Sequence, residues 1–231
     1  YDEILYTGTA LPVLTRSRAD GGWGFATPSS HLEKFMVDDP RLAHTIIKEG
    51  DYVNDEHQNY NTELKDNESG RINKKYFISI SQRVIESEYV KEQLNHILLR
   101  FADLLLIQAE AAYHLGQENV ALSALEKVRA RVGLTTDNAL SGDALLQKIY
   151  DERRLELALE GHRYYDLKRT GRLENVINDF YDYNMNRSTD PYDAGNPQGF
   201  YFDASKHYIF PVPQSEIDLS GGVIVQNPEY N

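Results

Sequence analysis

The chain has 231 residues, 41% hydrophobic and 26% charged, with a formal net charge of −12, a composition that fits a soluble globular protein. That charge argues against nucleic acid, which needs clustered Lys and Arg, and against docking on an anionic membrane surface. There is no cysteine, so disulfides and thiolate metal sites are excluded, and no apolar run approaches the ~20 residues that span a bilayer.

In chain order, residues 1 to about 30 hold Gly8, Pro12, Gly21, Gly22, Gly24 and Pro28 with no sustained period, and read as loops with a short strand. The opening YDEILYTGTALPVL has neither a starting Met nor a signal peptide and reads as the middle of a longer protein. Ser29 or Ser30 is placed to cap a short helix, HLEKFMV, which Asp38-Asp39-Pro40 ends. Residues 50–75 are polar and charged and fit a long exposed excursion. FISIS at 77–81 reads as a strand.

From Leu98 the texture changes. Leu98, Phe101, Leu105, Ala109 and Ala112 step by three and four, the signature of a helix with a small-residue face. Gly116 breaks it, and a second helix follows on Ala121, Leu125, Val128 and Val132, ending at Gly133. The spacing admits a plain two-helix hairpin. It also resembles one tetratricopeptide unit, with Ala109, Leu115-Gly116 and Ala121 at the small, turn and small positions but no first-helix Trp and no closing Pro. A solenoid unit cannot bury its faces alone. The partner surface is expected either from a long third helix, about 141–168, or from further repeats upstream, the second being favoured.

The segment Asp151 to Arg172, DERRLELALEGHRYYDLKRTGR, carries the most information. Read as one helix, it sets Arg153, Glu156, Glu160 and Arg163 in the same stripe as Leu145, Ile149 and Leu167. Charge on a core face persists only when paired and hydrogen-bonded. A half-buried structural ion network of Arg153, Glu156, Glu160, Arg163 and Asp166 is therefore expected, with partners three residues apart: Arg153 with Glu156, Glu160 with Arg163, Arg163 with Asp166. A short helix, LENVINDF, then leads into a loop dense in Tyr, Asn, Asp and Gly. The tail holds Pro211 and Pro213 and reads as an extended segment, a turn and a closing strand-like stretch.

Several of these stretches converge. LLRFADLLLIQAEAAYHLG, ALEKVRARVGL, ERRLELALEGHRYYDLKRTG, HYIFPVPQSEID and QNPEY occur in the order seen in the C-terminal half of the SusD/RagB family, and this sequence resembles it from about residue 20 to residue 230. GGWGFATPSSHLEKFMVDDPRL is similar to that family's Gly-Trp loop and Asp-Pro-Arg element. The resemblance implies a surface-exposed, non-enzymatic lipoprotein of the outer membrane that binds glycan, or sometimes peptide, beneath which sits a SusC-like TonB-dependent transporter. The family's N-terminal half and its lipidated cysteine do not occur in these residues, so membrane attachment is expected only through that absent anchor. The expected fold is mainly α: a tetratricopeptide-like helix pair plus a third long helix, with long loops and a few short strands. Residues 1–97 would form a loop-rich segment, 98–175 a helical core, and 176–231 an aromatic loop and extended tail.

Sugar binding calls for flat apolar faces with amide and carboxylate partners. Two segments offer them: the Gly-rich loop with Trp23 and Phe25, and the later loop with Tyr181, Tyr183, Asn184, Tyr192 and Asn196. The alternating oxygens of Asp182, Asn184, Asn186, Ser188, Asp190 and Asp193 resemble a calcium loop. Arg187 stands where that loop needs Gly, however, and a turn-rich polar loop is the better reading. Glu152, Glu156 and Glu160 lie on one side of one helix, whereas a glycosidase sets two carboxyls across a substrate. Glu110 and His114 have no second His pair to complete a metal site. No catalytic residue, metal or cofactor is expected. The reading is glycan binding for delivery to a transporter, with a tetratricopeptide-like scaffold for peptide or protein as the alternative.

Overall fold

The computed structural model describes residues 11–16, 21–48, 51, 69–79, 94–190 and 201–230. The chain divides into two compact units, 1–163 and 164–231, each built mainly from helices.

In the first unit, α1 (Leu11–Thr15) stands where only loop and strand were expected. The next helix, α2 (Ser30–Phe35), starts as the sequence indicates, with the Ser29 hydroxyl accepting from Leu32 N at 3.2 Å. After α3 (Leu42–Thr45) come two three-residue strands, β1 (Ile46–Lys48) and β2 (Arg71–Asn73), antiparallel with Ile47 opposite Ile72. Both isoleucines are buried. This pairing replaces the expected strand at 77–81: residues 77–79 are irregular, and 80 and 81 lie outside the described residues.

The helix pair is α4 (Phe101–His114) and α5 (Glu118–Ala130). Ala109, Ala112, Ala121 and Ala124 are buried between them with Leu105, Leu106, Leu125 and Val128, small side chains that let two backbones approach closely. At the turn, Gln117 N donates to Ala112 O (2.8 Å) and Gly116 N to Tyr113 O (2.9 Å), which satisfies carbonyls orphaned at the helix end. The third helix, α6 (Gly142–Glu156), adds Leu145 and Ile149 to the same core, and Glu118 Oε1 accepts from Gly142 N at its first turn. α6 thus supplies a partner surface to the pair. The outer face of α4 is nevertheless exposed at Phe101, Leu104 and Ile107. Leu98 and Phe101, expected to continue the buried stripe, are 78% and 71% exposed. Arg100 has extended backbone, so the helix starts only after it.

The single helix expected across 151–172 is broken. α6 ends at Glu156, Leu159 (φ 65°) and Gly161 (φ 86°) take left-handed backbone, and α7 (Arg163–Arg169) begins anew. Gly161 carries that conformation without a Cβ clash. At the break, side-chain cations take the place of a backbone donor. In a continuous helix the Glu156 carbonyl would accept from the backbone four residues on. Here it accepts instead from Lys75 Nζ (2.8 Å) and Arg100 Nη2 (2.6 Å), two cations at a helix C-terminus, where the macrodipole favours them.

In the second unit, α7 and α8 (Leu173–Asp182) pack Leu167 and Leu173 against Phe202. α8 runs on into a π-helical turn, Tyr183–Arg187, so the expected loop is helical over 181–187. Two short helices follow, α9 (Ala204–His207) and α10 (Gln214–Leu219), the latter beginning directly after Pro213. The stretch beyond it forms no strand among the described residues. Side-chain amides hold it instead: Gln226 pairs both ways with the Val212 backbone (2.8 and 2.9 Å), and Asn227 Nδ2 donates to Phe210 O (2.6 Å).

Candidate functional site

The Gly-rich loop folds back on the end of α1. Phe25 N donates to Leu14 O (2.8 Å) and Gly24 N to Arg16 O (2.9 Å). This close approach dictates glycine at position 22, where a Cβ would lie 2.4 Å from the Arg16 carbonyl oxygen. The hairpin lifts two aromatic rings into solvent. Trp23 is 54% and Phe25 53% exposed, edge-to-face with centroids 5.8 Å apart, a favourable ring geometry. Such a pair offers an apolar face to a ligand.

In the second unit, Tyr181 near the end of α8 meets Tyr201 edge-to-face at 6.3 Å. Tyr201 stays outward because the next residue, Phe202, is fixed in the core. Asn178 both donates to Phe202 O (3.0 Å) and accepts from Phe202 N (2.7 Å).

The first unit also holds a network of charge. Asp39 grips Arg41 at Nε (2.8 Å) and Nη2 (2.7 Å) and turns its Nη1 onto Glu152 (2.6 Å) and Glu156 (2.8 Å). Arg129 takes the other oxygen of Glu152 at 2.9 Å. Glu156 also accepts from Arg100 Nη1 and from Arg131 Nη2, the latter at 2.8 Å. Glu160 is held by Lys75 (2.6 Å) and Arg100 Nε (2.7 Å). Arg153 points elsewhere on α6 and binds Asp103 of α4 at 2.7 Å. Burial opposes ionisation of Glu156, but the guanidiniums of Arg100 and Arg41 outweigh it and hold its pKa down to about 2. The same contest lowers Glu160, through Arg100 and Lys75, and Asp39, through Arg41. Burial wins at Lys75 and lowers its pKa.

A family model described as the SusD family matches residues 18–230. The chain belongs to the SusD family. Among curated relatives, it is similar to SusD-like protein P38 of Formosa agariphila, 35% identical over 116 residues, which is 46% of this chain and 22% of that protein. SusD-like protein P2 of the same organism is 32% identical over 149 residues, 59% of this chain and 26% of that protein. Among solved structures, a SusD superfamily protein from Bacteroides vulgatus superposes with a TM-score of 0.68 at 20% identity, covering 94% of this chain and 47% of that one. The surface glycan-binding protein A from Bacteroides uniformis superposes at 0.66 and 24% identity, covering 95% and 47%. These superpositions show the fold. The chain spans about a quarter of the curated relatives it matches and about half of the solved chains.

In this SusD-family chain the family-like sequence elements meet around one carboxylate. The Asp-Pro-Arg element supplies Asp39 and Arg41, the start of the helix pair supplies Arg100, and the charged segment supplies Glu152, Glu156 and Glu160. Two of the expected i,i+3 pairs, Arg153 with Glu156 and Glu160 with Arg163, are corrected here. Glu156 and Glu160 take cations from distant segments, because the break after α6 swings Glu160 out of register with Arg163. Asp166 pairs on the surface of the second unit with Arg169 at 2.9 Å, and Arg163 is half-buried.

Of the aromatic candidates, the structure brings Trp23 and Phe25 together and exposes both. Tyr183 and Asn184, expected in an open loop, are buried at 7% and 0% exposure because the π-helical turn rotates them inward. Asn184 has no hydrogen-bond partner for either side-chain amide atom. Tyr192, Asn196 and Asp193 lie outside the described residues. Tyr201 is 64% exposed and was not anticipated. Its signal was the alternation in Phe200-Tyr201-Phe202-Asp203, which puts one ring in and its neighbour out.

Proposed function

We propose that the chain binds oligosaccharide or polysaccharide without cleaving it, as part of a surface lipoprotein of the outer membrane that passes glycan to a SusC-like TonB-dependent transporter. The observation that carries this reading is the Trp23–Phe25 pair: two exposed rings on a glycine hairpin in a SusD-family chain. Exposed aromatic surface is costly unless something covers it, and pyranose C–H faces stack on such rings. The printed description of the Bacteroides uniformis neighbour as a surface glycan-binding protein supports the same ligand class. The buried carboxylates fit a non-catalytic role, because each of Glu152, Glu156 and Glu160 is already bound to two or more cations.

Affinity electrophoresis in gels carrying different polysaccharides tests the proposal. Retardation by at least one glycan, lost in Trp23→Ala, is expected. Release of reducing sugar over time would overturn the non-catalytic reading. One observation favours the alternative of a scaffold for peptide or protein, namely the exposed apolar face of α4 at Phe101, Leu104 and Ile107. Peptide capture lost in Leu104→Asp, with no retardation by any polysaccharide, would establish it.

A further inference from the structure

A cleft of about 550 Å³ opens over the ion network, lined by Arg41, Lys75, Arg100, Arg131, Glu156 and Glu160, and its size falls in the ~300–1,000 Å³ range of small-ligand pockets. Its charges do not balance. Five cations (Arg41, Lys75, Arg100, Arg129 and Arg131) are tied to four carboxylates (Asp39, Glu152, Glu156 and Glu160). A positive surplus is notable in a chain whose net charge is −12.

The bonding pattern says where the surplus sits. Arg41 and Arg100 each use Nε and both terminal nitrogens on partners, and each reaches more than one carboxylate. Lys75 is satisfied by Glu160 and the Glu156 carbonyl. Arg131 differs. Its one partner is Glu156, already shared with two other guanidiniums, and both its hydrogen bonds run from Nη2 alone. Its side chain is 57% exposed, and Nε and Nη1 make no bond among the described residues. His44 lines the same cleft, exposed, with no hydrogen bond to its ring among the described residues.

We propose that this cleft is an oxyanion site, and that it takes the carboxylate or sulfate group of an acidic saccharide. The Arg131 guanidinium, exposed and with Nη1 still open to donate, offers its charge and one N–H to an oxygen of such a group, and the His44 imidazole supplies a second donor. The proposal rests on the glycan reading for the saccharide and on the cleft alone for the charged group. Near Arg131 the anion is only partly desolvated, so its binding weakens with salt.

Isothermal titration calorimetry separates the two readings, with oligogalacturonate, a sulfated galactan oligosaccharide and a neutral galacto-oligosaccharide of equal length. One or both anionic ligands should bind about tenfold or more tighter than the neutral one. Arg131→Gln should erase that difference, and Arg131→Lys, which restores the charge, should recover part of it. Glu156 keeps Arg41 and Arg100 in both variants, and an unchanged melting midpoint verifies that the fold survives. Equal affinity for all three ligands, or an anionic preference that survives Arg131→Gln, overturns the cleft assignment. Neutral binding abolished by Trp23→Ala would then still uphold the glycan reading, whereas binding of none of the three defeats both.

Discussion

Around Glu156 the chain buries charge, and around Trp23 it exposes aromatic rings, the reverse of what each residue type does by default. Glu156 has a side chain 2% exposed and three guanidiniums upon it. Trp23 is 54% exposed and steadied by a neighbouring ring. The contrast separates two uses of unusual residues. A buried carboxylate saturated with cations has no coordination left for a substrate, so its energy goes into joining segments far apart in sequence. An exposed ring on a loop tied down by backbone bonds keeps much of its face in water, where a ligand can reach it.

The largest effect that would break this comparison is on stability. Glu156→Ala removes one carboxylate and leaves Arg41 without one of its acids in a buried site. Breaking a buried pair in that way costs about 3–5 kcal/mol, read as a lowered urea midpoint. An unchanged midpoint would sink the structural assignment. Arg131→Gln should cost far less, because that side chain is 57% exposed and Glu156 keeps two other partners.

Acid should act on the same network, in a direction fixed by the shifts. The folded pKa of Glu156, about 2, lies below its ordinary 4.5, so its contribution is complete above about 4.5 and lost as pH falls toward 2. That difference corresponds to stability on the order of 3 kcal/mol, and the lowered Glu160, Asp39 and Glu33 add in the same direction. Denaturant melts between about pH 6 and about pH 2.5 should show the loss. A flat profile over that window would contradict the charged, paired state of Glu156.

How much of this was legible in the sequence differs between the two regions for a physical reason. Helix α2, the α4–α5 pair and their ends at Gly116 and Gly133 follow from local signals, a cap and a periodicity. That charge at 153, 156 and 160 must be paired also followed, from the cost of burying it. Its partners did not, since Arg41 lies 115 residues from Glu156 and no local rule names it. The break after α6 was hidden too, because the groups that satisfy its freed Glu156 carbonyl, Lys75 and Arg100, lie far away in sequence. At the aromatic sites, glycines flanking Trp23 announced a tight turn with an outward ring. Tyr183 and Asn184 misled, because polar, turn-forming residues continued a helix that packing extends.

Asn184 offers a smaller test. It is completely buried with neither amide atom bonded, and a buried unsatisfied polar group costs about 1–3 kcal/mol. Asn184→Leu, with the same branched heavy-atom skeleton, should therefore raise the unfolding free energy by about 1 kcal/mol and leave glycan retardation unaltered. Destabilisation together with lost retardation would restore Asn184 to the ligand side of the comparison.

The smallest expected change in stability belongs to Trp23, and it is the most telling. With over half its surface in water and the loop also tied to α1 by backbone bonds from Gly24 and Phe25, Trp23→Ala should move the unfolding free energy by no more than about 0.5 kcal/mol. Glycan retardation should vanish in the same variant. The two readouts have to part company for the proposal to stand. If the indole also anchors the loop, stability and binding fall together, and Gly22→Ala, which forces a Cβ against Arg16 O, should mimic it. If the indole is a ligand platform, Trp23→Phe should retain part of the binding, because a flat apolar face survives, at unchanged stability. That pattern would mean that folding and recognition draw on different residues of this chain.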